Sequence, residues 1–270
     1  MIVMLANNIG GYNYRKDIYN PVDKYINHIK VALLSLTKTG CCLPITVYLI
    51  DCVPEIGKDL KKLYKNLKVE NIPITAQKRK TPCTWGGNPL RFVMMREKIL
   101  AVKKALADDN NKWVLFIDCD VIIRGSLVPL VNGLVGRCRP YESRLTVLHR
   151  PEIESDGWKF NSGVIGLTNT PATKELADLW YKESLSHDEL SCEQEGLYKA
   201  YSKMKDKIKL IPLESRFNGW NFRDDPVIYH CKGKYFNYLP FKSLFFPLLF
   251  EAQRKCDIYK IDKRDTRYSW

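Results

Sequence analysis

Short apolar runs alternating with amphipathic helical segments predict an α/β fold, with a Rossmann-like mixed and largely parallel central sheet flanked by helices. Two segments carry most of that expectation. Residues 91–107 place Phe92, Met95, Ile99, Val102 and Leu106 at steps of three or four, which makes one apolar helical face. Residues 113–117 (Trp-Val-Leu-Phe-Ile) are continuously apolar, as a central strand covered on both faces requires.

The other elements follow in order. Residues 2–6 read as a buried first strand, ended by the Asn and Gly turn formers of residues 7–11. Residues 25–36 read as a helix, 45–50 as a second strand, 56–67 as a lysine-rich helix and 69–74 as a short strand. Residues 78–89 carry loop signals. After the central strand, 145–149 and 163–167 read as strands, 171–184 and 193–204 as helices, and 209–211 and 227–229 as short strands. No Pro-, Gly- or Ser-rich linker divides the chain. We therefore expect one domain over residues 1–240, with a basic, aromatic extension over 241–270 packed on it.

Composition narrows the function classes. Hydrophobic residues are 45% of the 270 and charged residues 27%, ordinary for a chain that buries a core. The apolar opening is one strand long and lacks the basic start of a secretory signal. No stretch reaches the roughly 20 apolar residues of a spanning helix. Nine cysteines, an odd count without CxxC spacing, argue for reduced thiols and against a zinc site or a disulfide framework. The expectation is a cytoplasmic protein, at most peripheral to a membrane. Its net charge of +13 attracts anions such as nucleotides, nucleic acid or acidic lipid, although a solvated lysine-rich surface gives the same number.

The chemistry concentrates in residues 113–127. The apolar strand runs into Asp118, Cys119 and Asp120, and a second apolar run follows. Open parallel sheets bind ligands at the carboxyl ends of their strands. Two carboxylates there, one residue apart, can gather around a divalent cation that bridges two phosphates and stabilises a diphosphate leaving group. Asp at a strand end is also an ordinary cap.

From Asp118-Cys119-Asp120 onward the motifs resemble the retaining GT-A glycosyltransferases, in particular the glycogenin-like family and related galactosyl- and xylosyltransferases. Phe160-Asn161-Ser162-Gly163, Glu193-Gln194, Arg216-Phe217-Asn218 and His230 with Gly233 and Lys234 follow in the family's order. The likeness runs over most of residues 1–240. It implies a GT-A catalytic domain there, a nucleotide-diphosphate sugar as donor, UDP-sugar favoured, and a divalent cation. His230 is implied as the third ligand beside Asp118 and Asp120. Imidazole with carboxylates suits Mn2+ and tolerates Mg2+ less well. The family separates its Gly and Lys further, whereas Lys234 directly follows Gly233 here, so Lys232 and Lys234 both stand for the diphosphate.

The resemblance also implies roles that the residues themselves leave open. Lys98, off the apolar stripe of its helix, is implied against the diphosphate. Arg91 and Arg96 are alternatives, and a solvated helix face is the plain reading. Asn7 and Asn8, with Tyr12 or Tyr14, are implied at the nucleobase, although a loop Tyr also packs locally. Asn161, Glu193 and Gln194 are implied on the sugar side. Glu193 suits a covalent route as nucleophile, Gln194 a front-face route. A helix-opening acid is also simply favoured by the dipole. Asp156 and Trp158 stand close enough in sequence to contact donor or acceptor.

The expected acceptor is a glycan or glycolipid. Phe245, Phe246 and Phe250, with Arg254 and Lys255, suit a membrane surface or nucleic acid, or else a terminal helix packed on the core. The enzymatic alternative is glycosylation of a modified DNA base. The alternative of another class is a non-catalytic nucleic-acid-binding module, which no helix-turn-helix, finger or aromatic RNA-binding signature supports.

Overall fold

A computed structural model describes residues 1–7, 24–50, 52–73, 89–135, 142–186, 192–219, 225–230 and 239–256. The strands are β1 (Ile2–Asn7), β2 (Ile45–Ile50), β3 (Leu67–Ile72), β4 (Trp113–Ile117), β5 (Val121–Ile123), β6 (Arg144–His149), β7 (Phe160–Thr168), β8 (Lys209–Pro212) and β9 (Ile228–His230). The helices are α1 (Lys24–Lys38), α2 (Pro54–Lys61), α3 (Pro89–Ala107), α4 (Val128–Val135), α5 (Asp156–Lys159), α6 (Pro171–Ser184), α7 (Cys192–Met204) and α8 (Leu239–Lys255). Seven strands form one sheet in the order β3-β2-β1-β4-β7-β6-β8, and β5 with β9 forms a two-stranded sheet. This is the mixed α/β architecture the sequence predicts.

The parallel part holds β2 beside β3 and β1 beside β4, with Ile2 opposite Leu115. Strand β7 runs antiparallel to both β4 and β6. The reason is chain length. Only ten residues, including the single turn of α5, join β6 to β7, and a parallel crossover needs a dozen or more. The chain therefore turns back on itself, and β7 is buried over all nine of its residues. The lysine-rich helix expected to reach residue 67 stops at Lys61, because Leu67 already pairs with Ile45 in the β2–β3 ladder.

The contacts divide the chain into two compact units. The first comprises Met1–Val3, Ile74–Ile117 and Leu127–Asn218. Here α3 packs on β4, α6 and α7, and α7 packs on β7. Covered on several sides, α3 buries Arg96, Glu97 and Lys98 as well as its apolar residues. The Arg96 guanidinium donates to the Ser184 carbonyl at 3.0 and 3.2 Å, at the end of α6. Gly196 lets α7 approach that same turn, since a Cβ there would stand 2.9 Å from the Ser184 nitrogen. Thr170 and Thr173 cap α6 reciprocally, and Pro171 opens it.

The second unit comprises Met4–Pro73, Asp118–Ser126 and Gly219–Trp270. Val31 of α1, Ile122 of β5, Tyr229 of β9 and Phe245, Phe246 and Leu249 of α8 make one buried cluster. The described part of the C-terminal segment is thus a helix whose aromatic face packs on α1. Strand β5 is fastened to α1 by a side chain: the Ile123 N–H donates to Ser35 Oγ at 2.9 Å. Among the described residues no helix is long and apolar enough to cross a membrane. Cys41, Cys42, Cys52, Cys119, Cys192 and Cys256 are thiols.

Candidate functional site

In the second unit, Asp118 and Asp120 follow directly on β4, with Cys119 buried between them. The alternation leaves both carboxylates half-exposed while the thiol turns inward. β9 delivers the third group. It pairs antiparallel with β5, and the register puts His230 opposite Val121, one residue beyond Asp120. The His230 N–H donates to the Gly219 carbonyl at 2.7 Å, which fixes the strand on its other side. The His230 ring is 3% exposed. Its Nε2 lies 3.1 Å from Asp120 Oδ1 and 3.4 Å from Asp118 Oδ2.

The three ligand atoms stand within 4.8 Å of one another. Neighbouring ligands of an octahedral cation with bonds of about 2.1 Å are about 3.0 Å apart, so the two short spacings fit a cation with open positions left over. The donor set fits as well. A carboxylate pair supplies negative charge, and a neutral imidazole adds a borderline-soft nitrogen that suits Mn2+. Sequence reasoning named these three residues, and the structure brings them together.

A second cluster lies in the first unit. Lys98 is 8% exposed, so the plain reading of a solvated helix face is wrong. Its neighbours α6, α7 and β4 leave that face no access to water. Its Nζ donates to the Ser162 carbonyl and hydroxyl, both at 3.3 Å, and lies 4.0 Å from Glu193 Oε1. The ammonium also stands 5.3 Å from the Phe116 ring centroid. Ser162 in turn donates its hydroxyl to Glu193 Oε1 at 3.1 Å. Gln194 Oε1 accepts the Ser162 N–H at 3.4 Å, and Asn161 Oδ1 accepts from the Gly163 N–H at 3.0 Å and from Asn218 Nδ2 at 2.9 Å.

Glu193, Gln194 and Lys98 therefore meet at Ser162 in one polar network of α7, β7 and α3, while Asn161, the neighbouring residue of β7, bonds separately to Gly163 and Asn218. Two members were missed as network residues. Ser162 is the linking hydroxyl, and Trp180 holds the α7 start by donating Nε1–H to the Glu193 carbonyl at 2.6 Å. Only the position of Ser162 inside the Asn-x-Gly motif hinted at the first. Arg96 is committed to Ser184, which removes it as a competitor for the diphosphate, and the Arg91 side chain lies outside the described residues. Asn7 is buried at the end of β1. Tyr12, Tyr14, Lys232, Gly233 and Lys234 also lie outside the described residues.

The sequence matches no family model and no curated protein. Solved structures do resemble the fold. The glycosyltransferase GlyE of Streptococcus pneumoniae TIGR4 superposes with a TM-score of 0.55 at 16% identity, covering 97% of this chain and 65% of that one. The present chain thus spans just under two thirds of GlyE. An active-site mutant of LgtC superposes with a TM-score of 0.52 at 13% identity, covering 99% of both chains. Mouse xyloside xylosyltransferase 1 gives 0.52 at 12%, covering 86% of this chain and 96% of that one. Identities this low speak for the fold, and the fold is the GT-A fold of these glycosyltransferases.

Proposed function

We propose that this protein is a divalent-cation-dependent glycosyltransferase that moves a sugar from a nucleotide-diphosphate donor, UDP favoured, to a glycan or glycolipid, with retention of configuration. The convergence of Asp118, Asp120 and His230 carries the reading. Residues 110 positions apart meet within hydrogen-bond distance at a strand end, where a diphosphate-bridging cation is useful and core packing has no need of two half-exposed carboxylates. A bound cation supplies charge neutralisation to the departing diphosphate. Asp118, Asp120 and His230 would hold it, with Lys232 or Lys234 assigned to the phosphates and Tyr12 or Tyr14 to the base. In the first unit, Asn161, Glu193 and Gln194 are assigned to the sugar, with Ser162 and Lys98 fixing the Glu193 carboxyl. That a Gln of LgtC is an active-site residue, mutated to Glu in the structure above, supports a Gln in this role. We assign catalysis to residues 1–240, the extension to 241–270, and the whole to the cytoplasm.

The test is a screen of nucleotide sugars for hydrolysis with Mn2+, repeated in EDTA. Hydrolysis of one donor, lost in EDTA and in Asp118→Asn, is expected. Activity that survives both treatments would overturn the cation-dependent reading, and no hydrolysis of any donor would overturn the enzyme.

A further inference from the structure

We propose that Trp158 is the stacking platform of an acceptor-sugar subsite, taking a neutral pyranose ring. The inference rests on the glycosyltransferase reading and names where the second substrate binds. Trp158 is 48% exposed, and it is the one exposed aromatic of the first unit among the described residues. Trp180, in the same unit, is fully buried with its N–H satisfied. An indole left in water on a small helix forgoes the burial its area would reward.

The backbone beneath the ring is fixed. The Trp158 N–H donates to the Ser155 carbonyl at 3.0 Å, and the next carbonyl, of Lys159, accepts from the Arg150 N–H at 2.8 Å. Gly157 and Phe160 on either side are buried. Lys159 is held by Asp156 at 2.9 Å and lies 4.8 Å from the Tyr198 ring centroid on α7. Phe160 is clamped edge-on between His149 and Tyr198. The ring is therefore presented on a preorganised support, which lowers the ordering cost of binding.

The surroundings select the ligand. Glu152, Glu154 and Ser155 are exposed on the same ten-residue turn and accept hydrogen bonds as sugar hydroxyls require. A pyranose offers an apolar C–H face for the indole and a rim of hydroxyls for the carboxylates. Residues 150–159 carry three carboxylates against two cations in a chain of net charge +13, so this turn repels phosphate and does not suit a nucleic-acid base. Position follows from the chain. Asn161, assigned above to the donor sugar, is three residues on, within roughly 11 Å along the backbone.

The experiment follows the indole N–H resonance of Trp158 in the labelled full chain while maltose, cellobiose and lactose are added. The resonance is assigned by its loss in Trp158→Phe. A saturable shift with at least one disaccharide is expected in the parent protein, and calorimetric titration of the same disaccharide is expected to show roughly tenfold weaker binding in Trp158→Ala and most of the affinity kept in Trp158→Phe. No shift with any of the three, or a shift with a single-stranded oligonucleotide instead, overturns the proposal. Donor hydrolysis without acceptor is measured in parallel on the parent protein. Hydrolysis with no indole shift sinks the platform alone. A shift without hydrolysis of any donor sinks the transferase reading and leaves a sugar-binding site.

Discussion

His230 stands directly opposite Val121 in the β5–β9 ladder, and this one pairing carries its imidazole to within 3.1 Å of Asp120. The three proposed ligands therefore owe their spacing to backbone register. A one-residue slip of β9 would send the ring to the other face of the ladder.

Cation binding should depend on all three side chains. Asp118→Asn, Asp120→Asn and His230→Ala are each expected to weaken Mn2+ binding by more than about tenfold in a calorimetric titration. With Mn2+ at 100 times its Kd, the parent protein should gain about 2.7 kcal/mol against unfolding. Equal Mn2+ affinity in any of the three variants removes that residue from the site.

Lys98 and Glu193 should prove coupled. Lys98→Met strands the Glu193 carboxyl and the Ser162 carbonyl in a dry interior, and a loss of about 3 kcal/mol is expected in urea unfolding. The double variant K98M/E193Q should recover at least about 1 kcal/mol of it. Strictly additive losses would show that the 4.0 Å approach carries no energy.

Gly196 should tolerate no side chain. A Cβ would sit 2.9 Å from the Ser184 nitrogen and 3.1 Å from its Cα, both backbone atoms. Gly196→Ala is expected to cost about 1–3 kcal/mol, because α7 must move off the end of α6. A thermal midpoint equal to the parent's contradicts this.

Acid should weaken the fold through His149. Burial, outweighing the attraction of Glu152, holds its pKa below the ordinary 6.5. As pH falls through about 6.5 the unfolded chain takes up the proton before the folded one, so stability present above that pH is lost below it. His149→Asn should flatten the dependence of the unfolding midpoint between pH 7 and 5. An unchanged slope assigns the acid sensitivity elsewhere.

Much of this arrangement was legible in the sequence, for physical reasons that differ by element. β4 was readable because a strand buried on both faces must be apolar throughout. The start of α6 was readable because a Pro suits the first helical position, and Pro171 occupies it. Asp118 and Asp120 stood out because strand ends concentrate chemistry, whereas His230 was implied by the resemblance to the GT-A enzymes. α4 was not anticipated as a helix, and α8 stood only as one alternative for the terminal segment. Val128–Val135 is almost uniformly apolar, and α8 carries Pro247 in its interior, so neither shows a clean period. The burial of Arg96 and Lys98 was hidden too, since one helix's periodicity cannot report how many neighbours will cover it.

Ser35 ties the strand beside the candidate cation site to α1. Its hydroxyl ties Ile123 to α1, and Ile123 belongs to the strand whose ladder sets where His230 stands. Divalent ions are told apart by coordination geometry more than by raw affinity. Substitutions at position 35 would then retune selectivity between manganese and magnesium while every donor atom keeps its identity. On the proposed reading, the choice of ligands and the distances between them would then be encoded at separate addresses in the chain.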